Sequence, residues 1–144
     1  MGSVSVSDIF LTPLNRIAVD GGDVLHAMKK SDPGYKDFGE AYFSQIYFGL
    51  TKGWKRHLLM TLNLVVPIGN VHFGFLDEAG RTRELIIGDS NYSRLTVPPG
   101  IWFAFKGESA PYSVLLNIAD IAHAPNEIER KTLEEVNFKW SNES

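Results

Sequence analysis

Between residues 42 and 119 the chain is cut into short runs by breakers that recur about every 8–12 residues, a spacing that leaves room for strands and little else. Residues 42–50 are aromatic and β-branched, and Gly53 follows them. Residues 54–66 form the next run, closed by Pro67, Gly69 and Asn70. Residues 71–76 end at a turn over 77–80, and 84–87 end at Gly88-Asp89-Ser90-Asn91. Residues 94–97 lead into Pro98-Pro99-Gly100, and 101–105 and 112–119 complete the set. β-Branched and aromatic runs between Gly, Pro, Asn and Asp clusters predict strands. Only residues 127–135 read as helical; their carboxylates lie near both ends, which suits one short turn.

Many strands need their edges hidden, and two facing sheets hide them. The Pro98-Pro99-Gly100 corner suits a strand that crosses between sheets better than a two-residue hairpin. The expected fold is therefore all-β, a jelly-roll barrel rather than a lipocalin-type barrel. Ser3, Ser5 and Ser7 alternate with Val4 and Val6, so residues 1–12 read as an edge strand or a loose tail. Ser31-Asp32-Pro33-Gly34 reads as a turn. No linker or repeat divides the chain, and residues 1–144 read as a single domain with 126–144 as its C-terminal segment.

Composition narrows the function. At 44% hydrophobic and 22% charged residues the chain is ordinary for a globular protein. It has no Cys, which removes disulfides, thiolate metal sites and a Cys nucleophile. Its net charge of −3 argues against a dedicated nucleic-acid binder. No run approaches the ~18 apolar residues of a membrane helix, and the N-terminus does not read as a secretory signal. The expectation is a cytoplasmic protein with neither nucleic acid nor membrane as partner.

Candidate chemistry centres on Trp54-Lys55-Arg56-His57. With a period of two, Lys55, His57 and Leu59 share one face, and Trp54, Arg56 and Leu58 share the other. Facing inward, Lys55 and His57 set a cation and a base one pleat repeat apart, a pair able to take a proton and steady the anion left behind. Facing outward, they are a solvated cation and an edge imidazole. Gln45 and Tyr47 share a face with Phe43 and read either as ligand contacts or as a solvated face. Asn63 and Asn117 interrupt apolar runs; a buried amide without partners costs about 1–3 kcal/mol, so each is a ligand contact or a fixed structural bond. His26, His57, His72 and His123 show no His-x-His spacing, and no metal is expected. His72, alternating with Phe73 in a strand, reads as a plain imidazole. Neither a phosphate-cradling Gly-rich loop nor a Gly-x-Ser-x-Gly elbow occurs.

Several stretches resemble one family. Gln45-x-Tyr47, followed by Lys52-Gly53-Trp54-Lys55-Arg56-His57, resembles the Gln-x-Asn…Lys-Gly-x-x-Arg-Gly-x-His stretch of dTDP-4-dehydrorhamnose 3,5-epimerases. The run from Gly69 through Val71 to Asp77 resembles their Gly-x-Val-x-Asp-Val-x-Val-Asp strand. Leu95-Thr96-Val97-Pro98-Pro99-Gly100 and the following Ile101 to Phe105 resemble their Leu-Tyr-Ile-Pro-Pro-Gly-Phe-Ala-His-Gly-Phe. Asp20-Gly21-Gly22-Asp23 stands at their Asp-x-Arg-Gly, and Phe138-Lys139-Trp140 at their terminal Ile-x-Trp. The likeness spans about residues 20–140.

The resemblance implies a cupin-type jelly roll, a homodimer, and a nucleotide-activated 4-keto-6-deoxysugar as substrate, with no metal or organic cofactor. In that family a His oriented by an Asp removes protons alpha to the ketone, a Lys steadies the enolate and a Tyr returns a proton from the opposite face. With the stretch after Arg56 shortened and the gap placed to suit it, His57 takes the place of the catalytic His; with the gap elsewhere Leu59 falls there. The enolate Lys aligns with Asn63, the Tyr with Asn117, the Pro-Pro-Gly His with Phe103, and the dyad Asp falls within 133–137. Gln45, Arg56 and Trp140 carry over as binding positions, joined by Tyr47, Asn63 and Asn117. Lys55, on the face of His57, is our candidate for the missing Lys. The expected function is epimerisation or keto-isomerisation of a nucleotide sugar. A barrel that only binds such a ligand, and a metal-dependent cupin, are the alternatives.

Overall fold

The computed structural model describes residues 3–141. Its strands, in chain order, are β1 (Phe10–Pro13), β2 (Arg16–Ile17), β3 (Val24–Leu25), β4 (Glu40–Tyr47), β5 (Thr51–His57), β6 (Leu62–Ile68), β7 (Asn70–Leu76), β8 (Thr82–Gly88), β9 (Ser93–Val97), β10 (Trp102–Gly107), β11 (Tyr112–Ala119) and β12 (Ile128–Arg130). Short 3-10 turns cover Val6–Asp8 and Pro125–Glu127. The first sheet runs β1-β9-β6-β11-β4, the second β12-β5-β10-β7-β8, and β2 and β3 form a small ribbon. All the pairings between these strands are antiparallel. The chain is almost entirely β and folds as the jelly roll that the turn spacing predicts. No helix among the described residues is long and apolar enough to cross a membrane.

The core lies between the two sheets. Leu62, Leu64 and Val66 of β6 face Val71, Phe73 and Phe75 of β7, with Phe103 and Phe105 of β10 beside them. Phe73 stacks on Phe75 at 6.1 Å and tilts against Phe105 at 5.7 Å. Each such side chain contributes about 1.5–3 kcal/mol by leaving water. The outer face of the second sheet is covered too. Trp54, Trp102 and Trp140 cluster there with Leu76, Val136 and Phe138, so the C-terminal segment lies across β5, β10 and β7. Gly74 permits the approach, since a Cβ there would meet the Trp140 and Phe138 rings at 2.8–2.9 Å.

Four expectations need correction. Residues 54–66 are two strands in different sheets. Residues 58–61 carry the chain across: the Leu58 amide donates to the Glu127 carbonyl at 2.7 Å and also to its carboxylate, and the ladder ends there, since the amides of Leu59 and Met60 bond the carboxylate and that of Thr61 bonds Asp120. Gly53 does not break a strand; it lies inside β5 at a bulge, with φ +148 and a Cβ direction filled by Ala104. Pro67 lies inside β6 rather than ending it, where the register against β11 shifts and a missing N–H costs nothing. Residues 127–135 form no helix: Glu127 ends a 3-10 turn and β12 pairs with β5, Ile128 opposite His57. At the N-terminus the edge strand is β1, paired on β9, and it begins at Phe10. The expectation for residues 1–2 and 142–144 lies outside the described residues.

Candidate active site

Strand β5 alternates, and its two faces do different things. Trp54 and Arg56 point outward to the tryptophan cluster, while Lys55 and His57 line a small chamber inside the barrel. His57 is 4% exposed and its Nδ1 lies 2.5 Å from Oε1 of Glu127, itself 3% exposed. The other oxygen, Oε2, accepts the backbone N–H groups of Leu58, Leu59 and Met60 at 3.2–3.3 Å. The crossing segment that separates β5 from β6 therefore also clamps the carboxylate.

The electrostatics follow from these contacts. Burial alone would raise the Glu127 carboxyl, but its bond from His57 and those from the Leu59 and Met60 amides hold it below its ordinary value. Burial lowers His57, Glu127 opposes this, and Lys55 and Arg130 lower it further; the net shift is downward. Near neutrality the imidazole is thus uncharged. An ionised carboxylate at Nδ1 assigns the proton to that nitrogen and leaves the Nε2 lone pair free to act as a base. Lys55 is lowered by burial and by Arg130, with Glu127 opposing and Lys52 adding.

The first sheet supplies the facing wall. Tyr42, Ser44 and Asn117 project into the chamber from β4 and β11, where Asn117 and Tyr42 are cross-strand partners. Asn117 Nδ2 donates to Tyr42 Oη at 3.0 Å, and the buried Oδ1 has no partner. The chamber holds about 50 Å³. Lys55, Ser44, Phe103 and Phe105 line both it and a neighbouring cleft of about 700 Å³. Lys52, Arg130 and Lys131 bring positive charge to that cleft, and Glu135 is its one acid among the described residues.

Of the candidates read from the sequence, Lys55, His57 and Asn117 meet at the chamber. The others lie elsewhere. Gln45 and Tyr47 face outward from β4, Tyr47 at 59% exposure beside Phe43 at 69%, because the inward parity belongs to Tyr42, Ser44 and Ile46. Asn63 is on the outer side of β6, where it donates to Gly34 O and accepts from Thr96 Oγ1 at 2.6 Å; its bond is structural. Arg56 is held by Glu129 and Glu78 and lies 4.8 Å over the Trp102 ring. Trp140 packs between His72 and Phe138. His72 is a buried imidazole on that outer side, 2.8 Å from Glu84. Tyr42, Glu127 and Arg130 were not singled out by sequence reasoning. The dyad carboxylate was expected within 133–137, yet it comes from the turn at Pro125–Glu127. Among the described residues no group of three or more His, Cys, Asp or Glu converges on a metal-sized site.

No family model matches the sequence. A dTDP sugar isomerase from Desulfovibrio desulfuricans G20 superposes with a TM-score of 0.88 at 33% identity, over 94% of this chain and 92% of that one. The chain belongs to the dTDP-sugar isomerase family. A dTDP-4-dehydrorhamnose 3,5-epimerase from Sulfolobus tokodaii shares the fold, with a TM-score of 0.79 at 14% identity over 97% of this chain and 85% of that one. A probable low-salt glycan biosynthesis epimerase, Agl13 of Haloferax volcanii, is 25% identical over 121 residues, 78% of each protein. Membership of this isomerase family agrees with a chamber that brings a buried His–Glu pair beside a half-buried Lys.

Proposed function

We propose that the protein isomerises a hexose carried on a nucleoside diphosphate, a 4-keto-6-deoxysugar, by taking a proton from a carbon beside the ketone. The observation that carries this is the buried His57–Glu127 dyad with Lys55 at the bottom of a cationic cleft. Family membership supports the same reading.

The ketone acidifies its neighbouring C–H bonds. His57 Nε2 takes the proton, and Glu127 stabilises the imidazolium that forms, as a base worth about 10²–10⁴-fold requires. The electron pair moves onto the ketone oxygen, where the Lys55 ammonium stabilises the oxyanion. Return of a proton at the same carbon from the other face gives an epimer; where the C4 oxygen takes a proton and the C3 hydroxyl gives its own up, a proton returned at C4 instead leaves the ketone at C3. The chamber is too small for a whole sugar ring, so the reacting edge enters it and the rest of the ring occupies the mouth. Lys52, Arg130 and Lys131 then receive the diphosphate. The test is exchange in D₂O with dTDP-4-keto-6-deoxyglucose, followed by NMR. Deuterium should enter a carbon beside the ketone with the native protein and not with His57→Asn; no exchange with the native protein, across several nucleotides, refutes the reading.

We also propose a homodimer. The outer face of β4 leaves Phe43 and Tyr47 exposed, and Phe48, Leu50 and Ile68 are exposed as well, apolar side chains that a second copy would cover. Light scattering after size exclusion should give twice the 16.1 kDa chain mass. Phe43→Lys should shift it to the monomer.

A further inference from the structure

Asn117 holds a buried polar atom that the fold does not use. The residue is 4% exposed and lines the chamber from β11. Its Nδ2 donates to Tyr42 Oη at 3.0 Å. Oδ1 is the end left over, and it accepts nothing from the protein. Lys55, His57, Ser44 and Tyr42 line the same chamber and none donates to it. A buried acceptor without a donor costs about 1–3 kcal/mol, and a fold keeps such a group where something else completes it.

Asn63 is the control within the same molecule. It also interrupts an apolar run in the first sheet, yet both ends of its amide are satisfied, by Gly34 and Thr96. An asparagine kept for structure in this sheet therefore has its partners. Asn117 has half of them, and the unspent half is in the chamber that holds the base.

We infer that Asn117 Oδ1 accepts a hydrogen bond from a ring hydroxyl of the substrate, at C2 or C3, and that this contact selects sugars retaining that hydroxyl. The inference rests on the isomerase reading above and deepens it. His57 belongs to the second sheet and Asn117 to the first, so a sugar edge between them is held from the side opposite the base. Tyr42 is a positioning residue: its hydroxyl accepts from Nδ2 and anchors the carboxamide with Oδ1 presented to the chamber. An acceptor in a closed site discriminates strongly, because a sugar lacking the hydroxyl leaves Oδ1 desolvated and unpaired. The substrate class is thus a nucleotide-linked 4-ketohexose with a free hydroxyl at C2 or C3, as opposed to its deoxy counterpart.

The experiment is a cycle between protein and substrate. The native protein and Asn117→Leu are each given dTDP-4-keto-6-deoxyglucose and its 2-deoxy and 3-deoxy analogues, with kcat/KM and calorimetric Kd both measured. The native protein should favour the parent over one analogue by about 10²-fold or more. Asn117→Leu should lose about 30-fold on the parent and under about threefold on that analogue. Tyr42→Phe, which removes one exposed-edge hydroxyl and leaves the fold intact, should weaken the same discrimination while all three sugars still exchange deuterium. An equal loss on all three sugars, or a native protein indifferent to both deoxy analogues, overturns the inference. Absence of turnover with every sugar refutes the isomerase reading instead, and the calorimetric cycle then still decides the role of Asn117.

Discussion

Both faces of β5 carry polar side chains, and they differ in what those side chains have left to give. On the outer face Arg56 is fully engaged by Glu129, Glu78 and the Trp102 ring. On the inner face His57 is tied at Nδ1 alone, and Asn117 across the chamber keeps a bare carbonyl oxygen. Burial does not distinguish a site from a scaffold here; unused bonding capacity does. The outer face holds the C-terminal segment in place, and the inner face is arranged to meet a visitor.

Substitutions on the two faces should therefore fail in different ways. The largest effect is expected from Glu127→Gln, which removes the charge that assigns the His57 tautomer; kcat should fall about 10³-fold. Lys55→Met comes next, with about 10²-fold lost from kcat as the oxyanion loses its cation. Both variants should remain folded by circular dichroism. Trp140→Ala inverts the pattern: removing the ring from between His72 and Phe138 should cost about 3 kcal/mol in denaturant unfolding. The kcat of the folded fraction should stay near native. A Trp140→Ala protein that unfolds normally but has lost kcat would erase the distinction between the faces.

The smallest expected effects are on pH profiles. His57 must be neutral and is lowered from 6.5, so the acid limb of kcat/KM should lie below that value. Lys55 must be charged and is lowered from 10.5, so the alkaline limb should come earlier than for an ordinary lysine. For stability the sign is the same for Glu127 and His57. Both are depressed in the folded protein, so what they contribute is complete above their ordinary values and drains away as pH falls through the folded ones. Glu127→Gln should flatten that acid decline in thermal melts.

How much of this was legible in the sequence differs by element. β11 falls on residues 112–119 as expected, since alternation and flanking breakers agree there. The division of β5 into two faces also follows from the period of two. The break between β5 and β6 does not. No Gly or Pro lies between His57 and Leu62, and the chain turns because a carboxylate some seventy residues away captures three of its amides. The parity of β4 was ambiguous because both faces carry aromatic and polar residues, Tyr42 and Ser44 against Phe43, Gln45 and Tyr47. Only the register with β11, which sets Tyr42 opposite Asn117, decides it. Glu127 was missed for a related reason. Its importance comes from long-range pairing of β12 on β5, and local pattern reports only a short acidic stretch.

That pairing has one more consequence. Glu127 and Arg130 sit at the two ends of a three-residue strand fastened to the edge of β5. The crossing from β5 to β6, the imidazole's orienting charge and a cation of the cleft all hang on this one clasp. Peeling it back would release the turn and disarm the base together, so that closing the shell and arming the chemistry are one event.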